Sequence, residues 1–145
     1  MRIRDAKGRK VVSTDTAESV GKVEAFLIDP GTRSIAALRL AKVTGDADYL
    51  SWEDLRFGPD AVIVASSDRL RPQRDDTEAH VASNDLEPIG KLVLDDSGTA
   101  LGTVEDVEFD PTSGAIVELD LGDPGRVAGD RLIGLGAYAV VVRGS

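Results

Sequence analysis

The feature that most constrains this chain is an internal duplication. "GKVEAFLIDPGTRSIAALRL" starts at Gly21 and "GTVEDVEFDPTSGAIVELDL" starts at Gly102, and the two overlay without a gap. Gly, Val, Glu, the Asp-Pro pair, Ile and two Leu coincide. Upstream, Lys10-Val11-Val12 matches Lys91-Leu92-Val93; downstream, "LRFGPDAVIV" from Leu55 matches "IGLGAYAVVV" from Ile133, with the second copy three residues shorter in between. The units are residues 1–64 and 86–145, separated by a polar linker, 65–85. A unit of about 60 residues buries only about 60% of its unfolded surface and is marginal alone. The copies must therefore pack on each other or on another chain.

Within each copy the local signals are strands. Ala36, Leu38 and Leu40 alternate with Ala37 and Arg39; Val117, Leu119 and Leu121 alternate with Glu118 and Asp120. That period of two predicts a half-buried strand. In the preceding strand Val23 is out of phase with Phe26 and Ile28, as is Val104 with Val107 and Phe109, and a bulge in each copy would reconcile them. Phe26 and Phe109 are read as repeat-equivalent strand positions and are expected to face the core. The runs "AVIV" and "AVVV" predict closing strands buried on both faces.

Between the paired strands stand Asp29-Pro30 and Asp110-Pro111. Pro presets φ for a turn, and the preceding Asp accepts backbone N–H bonds. Gly114 supplies a left-handed closing residue. Arg33 occupies that place in copy one, which predicts a more strained or differently shaped turn. Gly21 and Gly102 open the next strand, where a bulge or a close approach is expected. Pro72 prevents one continuous helix through the linker, leaving room for a short helix around 75–82.

The chain contains no cysteine, which excludes a disulfide scaffold, thiol chemistry and cysteine-ligated metals. No apolar stretch approaches the roughly 18 residues of a membrane span, and no apolar segment follows the basic start to make a secretory signal. The expectation is a soluble, cytoplasmic protein. Its net charge of −9 is uneven: residues 1–64 carry ten basic and ten acidic side chains, residues 86–145 four and eleven. Such a chain repels phosphate backbones, so direct nucleic-acid binding is not expected. Arg2, Arg4, Lys7, Arg9 and Lys10 form a basic arm, read either as solvated or as paired with the acidic second copy. An arm for nucleic acid or a membrane surface is the minor alternative.

Candidate chemistry is sparse. Asp96-Ser97-Gly98 after an apolar run resembles the loop of an aspartic protease, and Asp15-Thr16-Ala17 would supply the second carboxylate. Small polar residues also make hairpin turns, which is the preferred reading. His80, the sole histidine, lies in the linker away from any nucleophile setting. Asp95-Asp96 and Glu105-Asp106-Glu108 lack EF-hand spacing and read as solvated acidic faces. Gly134-Leu135-Gly136 lacks the rest of a dinucleotide loop. No catalytic residue, metal or cofactor is assigned. Tyr49, Trp52 and Phe57 cluster before the last strand of copy one, where copy two has Val127, Asp130 and Leu135. Trp52 is the sharpest asymmetry: either a rim residue between the copies, or an anchor of a partner-binding patch with Tyr49 and Phe57.

The Gly-x-Val-Glu strand, the Asp-Pro turn and the closing valine run, present twice, resemble the PRC-barrel domain. That family includes the cytoplasmic domain of the photosynthetic reaction-centre H subunit and the C-terminal domain of the ribosome-maturation factor RimM. This chain lacks the membrane helix of the first and the distinct N-terminal barrel of the second. The resemblance implies an all-β protein of two tandem small antiparallel barrels related by a pseudo-twofold axis, without enzyme activity. The function expected is a protein-interaction or assembly module with a basic protein partner, and with room for homodimerisation. A ribosome-maturation or RNA-processing adaptor acting through a ribosomal protein is the first alternative. A carboxylate-dyad hydrolase built on Asp15 and Asp96 is the second.

Overall fold

The structure is a computed structural model that describes residues 1–43, 45, 47–72, 88–122, 125–136 and 138–144. Copy one holds β1 (Lys10–Ser13), β2 (Ser19–Asp29), β3 (Ser34–Ala41), β4 (Tyr49–Ser51), β5 (Leu55–Phe57) and β6 (Val62–Val64). Copy two holds β7 (Leu92–Asp95), β8 (Ala100–Thr103), β9 (Asp106–Phe109), β10 (Ile116–Asp120), β11 (Arg126–Ala128), β12 (Leu132–Leu135) and β13 (Ala139–Val142). A one-turn helix, α1 (Ile3–Ala6), precedes them. The expected linker helix around 75–82 lies outside the described residues.

Copy one forms one curled sheet in the order β4-β3-β2-β1-β6-β5, and copy two repeats it as β11-β10-β9 and β12-β13-β7-β8. In each copy the first and last strands pair in parallel and the remaining neighbours are antiparallel. The parallel pairs correct the sequence alignment. Val11 faces Val62 and Val93 faces Val140, so Val11 corresponds to Val93, not Leu92. The first hairpin of copy one is one residue longer, which an ungapped overlay cannot show.

The anticipated bulge in β2 is present: Val23 faces Leu40 while Ala25 faces Arg39, leaving Glu24 over. A second bulge overturns the simple alternation of β3 and β10. Ile35 and Ile116 are buried, and Ala36 and Val117 are then the extra residues, turned out to solvent. Leu101 and Ile133 are likewise extra residues in their ladders. Among the described residues, three of the four large exposed apolar side chains, Leu101, Val117 and Ile133, thus owe their exposure to bulges that flip one residue outward. Tyr138 is the fourth.

The copies meet at their hairpin tips. Ile35 N–H donates to the Gly114 carbonyl at 2.8 Å, and Ile116 N–H donates to the Arg33 carbonyl at 2.8 Å. Ile35 and Ile116 are equivalent, as are Arg33 and Gly114, so these bonds are related by a local twofold axis between Ser34 and Ala115. One hydrophobic core runs through both copies. Phe26 and Phe109 meet in it with ring centroids 5.5 Å apart. They are not matched positions: Phe26 aligns with Val107, and Phe109 with Ile28. The expectation that the copies pack on each other is met by this shared interior.

Candidate interaction site at the seam between the copies

Both hairpin tips are built by the Asp-Pro signal. Asp29 Oδ1 accepts from Gly31 N–H at 2.8 Å, and Asp110 Oδ1 accepts from Thr112 N–H at 2.8 Å. Gly114 has φ +80, and Arg33, in the same role, takes φ +54. The two turns therefore share one shape, and copy one carries the strain of a side chain in the left-handed region. Arg33 is anchored across the seam, where its Nε donates to the Leu132 carbonyl at 2.9 Å.

Trp52 explains why Gly114 is bare. A Cβ on Gly114 would stand 2.8 Å from Cε2 of Trp52. The indole of copy one thus lies on the turn of copy two. It stacks on Phe57, centroids 6.0 Å apart, and meets Phe109 edge-on at 6.2 Å. On the other side of the axis the pattern inverts, with Asp130 where Trp52 would be and Arg33 where Gly114 would be. A large group fills each slot, once from the corner and once from the turn.

Of the three aromatic residues singled out in copy one, only Trp52 reaches the surface. Tyr49 is 1% exposed and Phe57 8%, and both are core residues. Beside half-buried Trp52 lies a groove of about 640 Å³, bounded by Asp29 and Pro30 of the turn, Ile35 and Ala36 of β3, and Ser113 of copy two. Glu53 lies along its wall. At the pseudo-symmetric place in copy two, Gly129 stands where copy one has Ser51. A Cβ there would be 1.9 Å from the Ile116 carbonyl oxygen. The corner of copy two lies directly on β10, and no side chain fits at this position.

The carboxylate pair does not assemble. Asp15 and Asp96 sit exposed on the first hairpin turn of their own copies, and no hydrogen bond joins them. Asp96 accepts from Gly144 N–H at 3.0 Å. Its neighbour Asp95 accepts from Ser97 N–H at 3.0 Å, Ser97 Oγ at 2.6 Å and Thr99 N–H at 2.9 Å. The Ser97 hydroxyl, aided by these amides, holds the Asp95 carboxyl below the ordinary carboxylate range. This is turn chemistry, as the sequence suggested. Among the described residues no three His, Asp or Glu side chains gather at metal-binding distance. His80 lies outside them. Nor is any described helix long and apolar enough to cross a membrane.

The basic arm pairs with copy two. Arg2 Nη1 donates to Asp120 Oδ2 at 2.8 Å and lies 3.8 Å from Asp106 Oδ2. The Arg2 hydrogen bond, with a second from Gly122 N–H, lowers the Asp120 pKa from its ordinary value. Sequence reasoning missed Gly129, Asp106 and Asp120 as partners in these contacts. The signal was present only in cross-strand register, which requires the bulges to be placed first.

The sequence profile of the PRC-barrel domain matches residues 1–71 and 82–144. No curated protein matches the chain.

Proposed function

Since the chain belongs to the PRC-barrel domain family, we propose that it is a non-catalytic protein-interaction and assembly module whose binding site is the seam groove at Trp52. The observation that supports this reading is asymmetry. A duplicated fold has a groove with an aromatic wall on one side of its axis, whereas at the equivalent place on the other side the Gly129 backbone packs against Ile116. Packing requires only one large group per slot, and it does not require the groove. A half-exposed Trp over a concave surface is a favoured anchor for a protein partner.

The partner is a basic extended segment. Asp29 and Glu53 flank the groove, Arg71 on the same wall is turned to Ser51 Oγ, and residues 86–145 carry eleven acidic against four basic side chains. Complementary charge of this kind steers encounter and makes binding salt-dependent. Domain boundaries at 1–64 and 86–145 follow the repeat, with the seam as the functional unit.

Trp52 is the only tryptophan, so its emission reports the groove directly. Immobilised full-length protein should retain one basic protein from lysate, with retention falling as salt rises. Titrating that protein should shift Trp52 emission. Ala36→Arg or Glu53→Lys, each placing a positive charge on the wall, should weaken binding about tenfold or more. Binding untouched by both substitutions overturns the assignment of the groove.

A further inference from the structure

Copy two contains a pairing that a sheet does not tolerate unaided. Asp106 on β9 stands directly opposite Asp120 on β10, whereas the same register in copy one places Ala25 opposite Arg39. Like charges directly across a ladder are destabilising. The cation that relieves them comes from outside the sheet, as Arg2 of the arm. Arg4 N–H also donates to Asp106 Oδ1, at 3.1 Å.

The arm meets the edge of β9 through a single antiparallel bridge at Arg2, just before α1. Phe109 N–H donates to the Met1 carbonyl at 2.8 Å, and Arg2 bridges to Glu108. Ile3 and Ala6 behind it are fully buried. The seat thus offers a strand edge, an acidic pair and an apolar socket, matched by a segment reading Arg-Ile-Arg. Lys7, Gly8 and Arg9 join the arm to β1. Gly8 has φ +84, with nothing within 4 Å of the place a Cβ would take. Its role is conformational, since there is open space around it.

We infer that this seat is an exchange site: the arm of a second copy of the chain docks on β9 in place of the resident arm, and two molecules assemble by reciprocal arm exchange. Every seat contact is the same in the closed and exchanged forms. Their balance is therefore set by the hinge and by concentration. The connection is short, with Gly8 N–H donating to the Val23 carbonyl and the Arg9 carbonyl accepting from Val23 N–H. It gives the resident arm an effective concentration on the order of millimolar, so the closed form prevails in dilute solution. A hinge that resists folding back shifts the balance to the dimer, as in other domain-swapped proteins. This inference rests on the arm and its seat, not on the groove.

Sedimentation of the full chain tests it. At about tens of micromolar, well below that effective concentration, the wild type should be monomeric. Gly8→Val should be dimeric, because a branched side chain is strained at positive φ and free in extended conformations. Adding Ile3→Asp to Gly8→Val should return it to monomer with its circular dichroism retained. A folded Gly8→Val that stays monomeric overturns the inference, as does a dimer that persists with Ile3→Asp. If Gly8→Val does not fold, the full-length Ile3→Asp variant, its own arm displaced, is titrated with the synthetic peptide MRIRDAKG. Saturable binding that Asp120→Ala abolishes supports the seat; no saturation up to about 1 mM, the scale of the tether, overturns it.

Discussion

The Val-Glu dipeptide of the repeat takes two different backbone paths. In copy one it lies inside a single 11-residue strand, with Glu24 as a bulge. In copy two the strand breaks at Glu105, and the sheet separates into two. The difference coincides with a change of charge on the neighbouring strand. Arg39 of β3 reaches Glu24 at 3.3 Å and ties the bulge to the sheet. Its counterpart in copy two is Asp120, which would repel Glu105. There, only the Glu105 backbone N–H bonds to Asp120, at its carbonyl, 2.7 Å away. The Asp120 side chain turns to Arg2 and to Gly122 N–H at 2.9 Å. Identical letters thus lie in a continuous strand where the facing charge is opposite, and at a break where it is alike. A duplicated barrel can diverge by one charge and recruit a distant segment to neutralise it.

The largest test of this comparison is at the corners. Gly129→Ser, which gives copy two the residue of copy one, should cost about 3 kcal/mol or more, since the new Cβ would overlap the Ile116 carbonyl. Ser51→Gly in copy one should cost about 1 kcal/mol through loss of the bond from Arg71 Nε to Ser51 Oγ. Denaturant unfolding reads both; equal costs would show that the corners are interchangeable.

At the turns, Gly114→Ala should lose about 2 kcal/mol, combining contact with Trp52 and positive φ. Trp52→Leu in the same chain should restore part of that loss. Arg33→Gly should lie within about 1 kcal/mol of wild type, because relief of strain offsets the lost bond to Leu132. A Gly114→Ala variant as stable as wild type would sever the link between indole and turn.

Acid should act first on copy two. Asp120 and Asp95 both have folded pKa values lowered below the ordinary 3.8. A lowered folded value means stabilisation that is complete above the unfolded value and is lost as pH falls through the folded one. Stability should therefore decline below about pH 4. Arg2→Ala removes the leading cause of the Asp120 shift and should make the acid decline shallower in a pH titration of unfolding. An unchanged profile would remove Arg2 as that cause.

The smallest expected effect is at Glu24. The Glu24–Arg39 pair is partly exposed, and Glu24→Gln should cost about 0.2–1 kcal/mol. A loss well above that range would mean the pair holds β2 continuous to a degree its exposure does not suggest.

Much of the fold was legible because it is written locally. The Asp-Pro turns, the strand bearing Phe26 and Ile28, and the Glu24 bulge announce themselves over a few residues. The second bulge at Ala36 and Val117 was not legible, because a bulge erases the alternation that would reveal the strand. The Lys91 alignment erred for a related reason: one residue added to a hairpin changes register without changing composition. The seam was hidden for a different cause. Trp52 and Gly114, or Arg2 and Asp120, lie far apart in sequence, and only a folded sheet places them together. Trp52 stands out in the sequence as an asymmetry, but its packing against a glycine in the other copy has no local signature.

The reciprocal bonds at the hairpin tips have a mechanical meaning. Each tip completes its hydrogen bonding only with the other, and the aromatic interior crosses between the copies without a boundary. Melting should therefore be one concerted event, calorimetrically single, despite a primary structure that reads as two modules. A gene cut between the repeats would yield two fragments, each missing half of a shared interior, that regain order only when mixed.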